Sequence, residues 1–190
     1  KLRLHGIDST GIADRLSVIY RPMTVPVDHT YVMASLTEWL PGNEEPALIR
    51  VIRESNGGEL PELTRWFGKY IQISMVPLLN MWSSYGISFE AHLQNSLVTI
   101  KNGMPHRFYV RDLEGVSIDR KMAAKAGWIG NVISDDSPVL YDESEACLRT
   151  KYYFFVNHLG MLIHAIARYA QTDERTYWRQ VKAVLRQEMD

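Results

Sequence analysis

The chain has 190 residues, of which 46% are hydrophobic and 23% charged, and its formal net charge is -1 at neutral pH. That length suits one domain with its own core, and the balanced charge argues against a nucleic-acid-binding protein, which needs a basic excess. Cys147 is the only cysteine, so these residues form no internal disulfide and no metal cluster held by several cysteines. A single cysteine and the lack of a long apolar run predict a cytoplasmic protein that does not span a membrane.

Residues 1–60 are predicted to form peripheral strands and short helices. Short strands are expected at 1–4 and 16–20, each followed by turn residues or proline. The segment Thr30–Leu40 has mixed periodicity and fits either a short helix or an extended stretch. Apolar residues at helical spacing predict a helix over Pro46–Glu54, ended by the Asn-Gly-Gly that follows.

Residues 61–120 are predicted to form a long helix and a hairpin. Pro61 suits a first helical turn, and a broad apolar stripe then extends the helix to about Tyr85, with a kink at Pro77 and an end at Gly86. Two apolar runs, 97–100 and 108–110, flank an Asn-Gly pair that favours the positive φ angles of a tight hairpin turn.

The hairpin predicts a cluster of chemically active side chains at its open end. Residues just before the first strand lie beside residues just after the second, so Glu90 and Asn95 come next to Asp112. These oxygen ligands suit Mg²⁺, which usually shares its coordination with substrate phosphates. His92 and Arg111 would complement negative charge there. The alternative is that polar residues simply collect at strand ends because loops are wet.

After the hairpin we expect three short elements: a strand at 116–118, a helix at 121–127 and a surface loop at 128–139. Helices follow over 144–190. A second long helix is predicted over Ser144–Ala170 with Ser144 as its cap, and its run 152–156, apolar on all sides, predicts burial in a bundle. Arg149 lies near the start of this helix, where a cation does not complement the dipole, so we expect a negative partner for it.

A last amphipathic helix, capped by Thr172-Asp173, should reach about Gln187. The predicted fold is therefore α+β but mainly helical: a helical bundle with a small antiparallel hairpin or sheet.

The residues that open and close the hairpin resemble a known family. Glu-Ala-His-Leu-Gln-Asn at 90–95, and Val-Arg-Asp-Leu-Glu-Gly at 110–115, resemble the siderophore synthetases that work without a nonribosomal peptide synthetase, the aerobactin-synthase-like (IucA/IucC) family. The resemblance extends upstream through Trp66–Gly86 and downstream through 148–159, so it covers most of the chain.

The resemblance implies an ATP-dependent ligase of siderophore biosynthesis. Such enzymes adenylate a carboxylic acid, often citrate or a succinyl derivative, and pass the acyl group to an amine, hydroxylamine or alcohol. The implied cofactors are ATP and Mg²⁺, and a homodimer is possible for a member of this family. The implied site residues are Glu90, Asn95 and Asp112 as metal ligands, Gln94 and Arg111 as contacts to ATP or the substrate anion, and His92 and Arg149 as catalytic residues that orient the carboxylate.

One departure from the family concerns the ATP site. The family's phosphate-binding motifs, a His-Pro-x-His-type segment and a basic Ser/Thr-rich strand, lie in an upstream half that these residues do not contain, and the sequence begins without Met. We therefore expect residues 1–190 to be a single C-terminal, palm-like domain of a larger chain, inactive as an isolated fragment.

Two other function classes fit parts of the pattern. A kinase-like phosphotransferase also carries a His-containing loop and a hairpin that ends in a metal-binding Asp, but it places its catalytic Asp between the His and the Asn, where this sequence has none. The other class is a non-enzymatic siderophore-binding or ferric-reductase-like module. Its reductase type needs several cysteines for an iron–sulfur cluster, and Cys147 alone cannot supply them.

Overall fold

The structure, a computed structural model, describes residues 25–26, 28–42 and 44–188. The two short strands predicted at 1–4 and 16–20 lie outside these residues. Among the described residues, no helix is both long and apolar enough to cross a membrane.

Helices dominate the described part of the chain, as predicted. They are α1 (Met33–Thr37), α2 (Ala47–Glu54), α3 (Leu63–Tyr85), α4 (Arg120–Lys125), α5 (Glu143–Thr150), α6 (Gly160–Ala170) and α7 (Arg175–Gln187). A π-helical segment, Lys151–Leu159, joins α5 to α6, and a single 3₁₀ turn covers Leu113–Gly115.

The strands form two small three-stranded sheets. They are β1 (Thr30–Val32), β2 (Ile87–Ser88), β3 (Ser96–Lys101), β4 (Met104–Val110), β5 (Ser117–Asp119) and β6 (Leu140–Tyr141). The first sheet has the order β1-β3-β4 and is antiparallel; the second has the order β2-β5-β6, with β5 and β6 parallel. The segment 30–40 thus contains both a strand and a helix.

The long helix α3 is the scaffold of the fold. Its N-terminus is capped by the Glu62 carboxylate, which accepts hydrogen bonds from the backbone N–H groups of Thr64 and Arg65, so the helix begins just after the predicted Pro61. It continues past Pro77 and ends at Gly86, whose φ of 67° is the left-handed conformation typical of a helix C-cap. The predicted end of this helix is confirmed.

The predicted hairpin is confirmed as β3 and β4. Its turn residues Asn102 and Gly103 have φ values of 50° and 70°, the positive angles that match the twist of the two strands. Val98 and Ile100 are buried in the core, and Phe108 packs edge-on against Tyr70 of α3, with ring centroids 6.1 Å apart. The hairpin is thereby fixed against the long helix.

The second long helix is confirmed in extent but differs in detail. Asp142, rather than Ser144, occupies its N-cap position, and its middle is π-helical. The predicted burial of 152–156 is wrong: Tyr152 and Val156 are 54% and 60% exposed, whereas Phe154 is 1% exposed. Only one side of this segment meets α3 and the hairpin, so an apolar run here does not mean burial all round.

The last helix, α7, closes the core against α3. Its N-cap position is Glu174 rather than the predicted Thr172-Asp173, although the Asp173 carboxylate accepts a hydrogen bond from the Arg175 N–H at 2.9 Å. Its inward face presents Tyr177, Val181 and Val184, and the Tyr177 ring meets Phe67 edge-on at 5.3 Å.

Candidate active site

The segment 90–95 leads into strand β3 and is hydrogen-bonded to Arg111, the residue that follows strand β4. The Arg111 backbone N–H donates to the Asn95 carbonyl at 2.8 Å, and its side-chain Nε donates to the Gln94 carbonyl at 3.0 Å. Arg111, predicted to contact ATP or the substrate anion, thus binds the backbone of this segment.

The carbonyls upstream of Gln94 are also engaged. The Ala34 N–H donates to the Leu93 carbonyl at 3.1 Å, and the Asn95 N–H donates to the His92 carbonyl at 3.0 Å. The Ala91 carbonyl is bonded by Nδ1 of His158 at 2.7 Å. All five consecutive carbonyls of 91–95 thus accept a hydrogen bond, which fixes the backbone from which His92 and the neighbouring Glu90 project.

Glu90 forms an ion pair with Arg149, whose Nη2 donates to Oε1 of Glu90. The Glu90 and Arg149 side chains are 21% and 27% exposed. This pair supplies the negative partner that the sequence predicted for Arg149. Gly115 leaves the space for the Glu90 carboxyl group, since a Cβ atom at this position would lie 2.5 Å from it.

Two tyrosines flank Arg149. Its guanidinium lies 5.0 Å from the centroid of Tyr141 and 5.6 Å from that of Tyr153, within the range of cation–π attraction. The Tyr153 ring is 5.7 Å from the His92 ring. Partial burial, and next the adjacent Glu90 carboxylate, raise the pKa of Tyr153. Nε of Arg149 is buried with no hydrogen-bond partner among the described residues.

The three residues predicted as metal ligands, Glu90, Asn95 and Asp112, lie in the segments next to the open end of the hairpin. Asn95 is bonded to Arg111, the neighbour of Asp112, and Glu90 lies against Gly115, three residues further on. Asp112 is exposed and adopts a left-handed conformation, with φ 62° and ψ 68°. Asn95 is 9% exposed.

Two carboxylates and an amide are oxygen-ligand types that a hard cation shared with substrate takes. No three His, Cys, Asp or Glu side chains come together as a metal-binding group in the part of the chain that the structure describes. Mg²⁺ does not require such a cage, because it commonly binds one or two carboxylates, water and substrate phosphates. Asp112 has no side-chain hydrogen bond or ion pair among the described contacts, and the Glu90 carboxyl group packs directly against Gly115.

A cleft of about 340 Å³ opens beside His92. Its wall also includes Glu38, Gln94, Asn157 and Met161. His92 therefore faces an open space large enough for a small substrate. On its other side the Tyr153 ring lies between His92 and Arg149, the partner of Glu90. The side chain of Gln94 is exposed at this cleft.

The sequence did not indicate Tyr141, Tyr153 or Gly115 as part of the site. Tyr153 could have been found, because it lies one helical turn after Arg149. The two histidines His158 and His164 do not pair: His158 is buried and bonded to Tyr70 and Ala91, while His164 is exposed and bonded to Glu174. His158 is thus a core histidine and His164 a surface histidine.

The chain matches one protein family over most of its length. The family model described as "Ferric iron reductase FhuF-like transporter" matches residues 64–190. The fold and the sequence therefore place the chain in this family, where it belongs with the aerobactin-synthase-like siderophore synthetases that act without a nonribosomal peptide synthetase.

Individual relatives agree with that placement. The chain is 40% identical over 151 residues to L-2,3-diaminopropanoate–citrate ligase of Staphylococcus aureus, covering 80% of this chain and 25% of the relative. It is 30% identical over 163 residues to spermidine-citrate ligase of Bacillus anthracis, covering 83% and 27%. The chain thus spans about a quarter of the length of these curated relatives.

A solved structure shares the fold. The ATP-bound aerobactin synthetase IucA from a hypervirulent Klebsiella pneumoniae pathotype superposes with a TM-score of 0.70 at 22% identity, over 84% of this chain and 29% of that one.

Proposed function

We propose that the protein to which this chain belongs is an ATP-dependent ligase of siderophore biosynthesis that joins citrate, or a related succinyl or dicarboxylate acid, to an amine, hydroxylamine or alcohol. The observation that carries the proposal is the hydrogen-bonded segment 90–95, which holds His92 and Glu90 near a partly buried arginine whose Nε has no partner among residues 25–26, 28–42 and 44–188. The relatives named as citrate ligases supply the substrate class, and the ATP-bound structural neighbour supports ATP as co-substrate.

In the proposed reaction a carboxylate oxygen of the acid attacks the α-phosphorus of ATP. A carboxylate–phosphorus bond forms and the bond to pyrophosphate breaks, giving an acyl-adenylate. The nucleophile then attacks the acyl carbon and AMP leaves. The first step brings two anions together, and in the second negative charge develops on the acyl oxygen and on the departing AMP, so fixed positive charge and hydrogen-bond donors should supply much of the rate acceleration.

Arg149 is suited to bind the acid. Its guanidinium is held by Glu90 and by two tyrosine rings, so it is oriented before substrate arrives. Its buried Nε, which has no hydrogen-bond partner in the part of the chain that the structure describes, is a donor that a substrate carboxylate would satisfy. His92 would donate a hydrogen bond to the same acid and stabilise charge that develops at its carbonyl.

The carboxylates at the open end of the hairpin are suited to hold a cation that binds the phosphates. Glu90, Asn95 and Asp112 would hold Mg²⁺, which when bound would neutralise phosphate charge. Gln94 and Arg111 would contact the nucleotide or the substrate anion from the same end. We further propose that 1–190 functions as the C-terminal palm-like domain of a cytoplasmic, homodimeric enzyme. These residues alone should be inactive, because the family's upstream phosphate-binding motifs are not among them.

The two alternative classes are less well supported. A kinase-like transferase needs a catalytic Asp between His92 and Asn95, where the sequence has Leu93 and Gln94. The family description names a ferric reductase, but these 190 residues contain one cysteine and cannot by themselves hold a four-cysteine cluster.

The test is acid-dependent pyrophosphate release by the full-length protein with ATP and citrate, 2-oxoglutarate or succinyl hydroxamates, with products identified by mass. We expect His92→Ala and Asp112→Ala each to lower the rate by roughly 100-fold or more, because each removes a group that acts on the reacting charges. Asp135→Ala is a matched control, since Asp135 is exposed and bonded to Arg120. Wild-type rates in both site variants would refute the site.

A further inference from the structure

His158 has both ring nitrogens engaged in a buried position. It is 0% exposed; Nδ1 lies 2.7 Å from the Ala91 carbonyl, and Nε2 lies 2.5 Å from the Tyr70 hydroxyl. A carbonyl can only accept, so Nδ1 carries the proton. Burial lowers the pKa of His158 to about 4, so the ring is neutral at pH 7 and Nε2 accepts from Tyr70. One tautomer and one orientation satisfy both partners.

Aromatic rings hold the imidazole in this orientation. The centroid of Phe154 is 5.1 Å from that of His158, and the centroid of Phe108 is 6.0 Å away. Tyr70 belongs to α3 and is itself fully buried. His158 therefore connects the scaffold helix to the backbone of the candidate active site.

The bond to Ala91 differs from the other bonds that fix the segment 91–95. The other four carbonyls accept from backbone N–H groups or from the exposed side chain of Arg111, and water can substitute for an exposed donor. The His158 bond is buried, and an unpaired buried carbonyl is costly. Ala91 lies directly between Glu90 and His92, so movement of its carbonyl reorients both side chains.

The π-helical segment 151–159 explains how two residues of one helix both contact the segment 90–95. Tyr153 contacts the His92 ring and His158 contacts Ala91, and these two residues are five positions apart. In an α-helix residues five apart point roughly 140° away from each other, whereas the i to i+5 bonding of a π-helix brings them to nearly the same side. The bond from the Gly160 N–H to the Phe155 carbonyl is of this type.

We infer that His158, held by Tyr70, is a positioning residue that fixes the Ala91 carbonyl and thereby orients Glu90 and His92 for the ligase reaction. The inference rests on the proposed function for its catalytic consequence. It assigns a task to the buried histidine and to the π-helical geometry, neither of which has a role in the proposed binding of acid, ATP or Mg²⁺.

The experiment compares His158→Asn with His158→Gln in the full-length protein. The Asn amide can occupy the place of Nδ1 and donate to Ala91, while the longer Gln amide reaches toward Tyr70 instead. Both put an amide into the same buried site, so a merely structural role would affect them alike. We expect His158→Gln to lower kcat by roughly 10- to 100-fold, with His158→Asn close to wild type. His164→Gln, an exposed histidine bonded to Glu174, is the control and should leave kcat unchanged.

Hydrogen exchange provides a measurement that does not depend on turnover. The Asn95 N–H, bonded to the His92 carbonyl, should exchange faster in His158→Gln than in His158→Asn. Equal kcat values and equal exchange in the two variants would overturn the inference. If the wild type shows no acid-dependent turnover, the proposed function fails, and the exchange comparison still decides the positioning role.

Discussion

Arg149 combines a fixed orientation with an unused donor. The Glu90 carboxylate and the rings of Tyr141 and Tyr153 hold its planar guanidinium, and its Nε has no partner among the described residues. A lysine would keep the charge but has neither the planar fork nor the same stacking. The site therefore depends on arginine rather than on positive charge alone.

From this we predict that Arg149→Lys raises the apparent KM for the carboxylic acid by roughly 10- to 100-fold, the effect of losing a charged hydrogen bond, while the KM for ATP changes little. Initial rates measured against each substrate would separate the two. Arg168→Lys is the matched control, because Arg168 also stacks on a ring, that of Trp39 at 4.2 Å, but contributes nothing to the site. An unchanged dependence on the acid would count against the role of Arg149.

Gly115 matters because it has no Cβ atom. A Cβ atom here would lie 2.5 Å from the carboxyl carbon and Oε2 of Glu90, closer than atoms can approach. Gly115→Ala should therefore displace the Glu90 carboxylate, raise the Mg²⁺ concentration needed for half-maximal rate and lower activity by about 10-fold or more. A Mg²⁺ titration of the rate measures this. Gly160→Ala should be silent, since its nearest neighbour would be 3.7 Å away, and a silent Gly115→Ala would argue against Glu90 as a ligand.

At the scale of elements, the sequence predicted best where the local signal was strong. The hairpin was predictable because Asn102-Gly103 selects the turn. The turn fixes only the nearest pairs, since the register shifts by one residue between Ile100, paired with Pro105, and Thr99, paired with Arg107. The helix α3 was predictable from its long apolar stripe. Its start was displaced slightly, because the capping carboxylate of Glu62 follows Pro61.

The second sheet could not be predicted in the same way. Its strands β2 and β6 have two residues each, too few for alternation to appear, and β6 is formed by pairing with β5 rather than by propensity. The π-helical segment also has no signature in residue type. Consequently the ring of Tyr141, which β6 brings to Arg149, had no signal in the sequence.

The hairpin turn yields a prediction about stability. Gly103 has a φ of 70°, and a Cβ atom there would lie 2.8 Å from Cβ of Asn56. Gly103→Ala should lower the free energy of unfolding by about 2–3 kcal/mol, through backbone strain and a steric clash together. Gly57→Ala isolates the strain, because Gly57 has a φ of 64° with nothing within 4 Å; we expect about 1 kcal/mol. Denaturant unfolding measures both, and equal losses would mean that the contact with Asn56 is unimportant.

For the whole molecule, the buried histidine links stability to pH. His158 lies among the core residues of α3, the hairpin and the second long helix, and Tyr70, its partner, stacks on Trp66 with centroids 5.5 Å apart. Burial lowers its pKa from 6.5 to about 4. Unfolding therefore takes up a proton between these two pH values, because the unfolded histidine is charged where the folded one is neutral.

The lowered pKa of His158 sets the direction in which stability changes with pH. The stabilising contribution of a neutral, buried His158 is complete above about pH 6.5 and is lost as the pH falls towards 4, with a total on the order of 3 kcal/mol. Tryptophan fluorescence during urea unfolding at several pH values between 4.5 and 7 should show stability falling with acid in the wild type. Carboxylates also titrate near the lower end, so the informative quantity is the difference from His158→Asn, which has no titrating group at this position. The wild type should lose more stability between pH 6.5 and 5 than the variant does, and parallel curves would show that His158 does not carry the linkage.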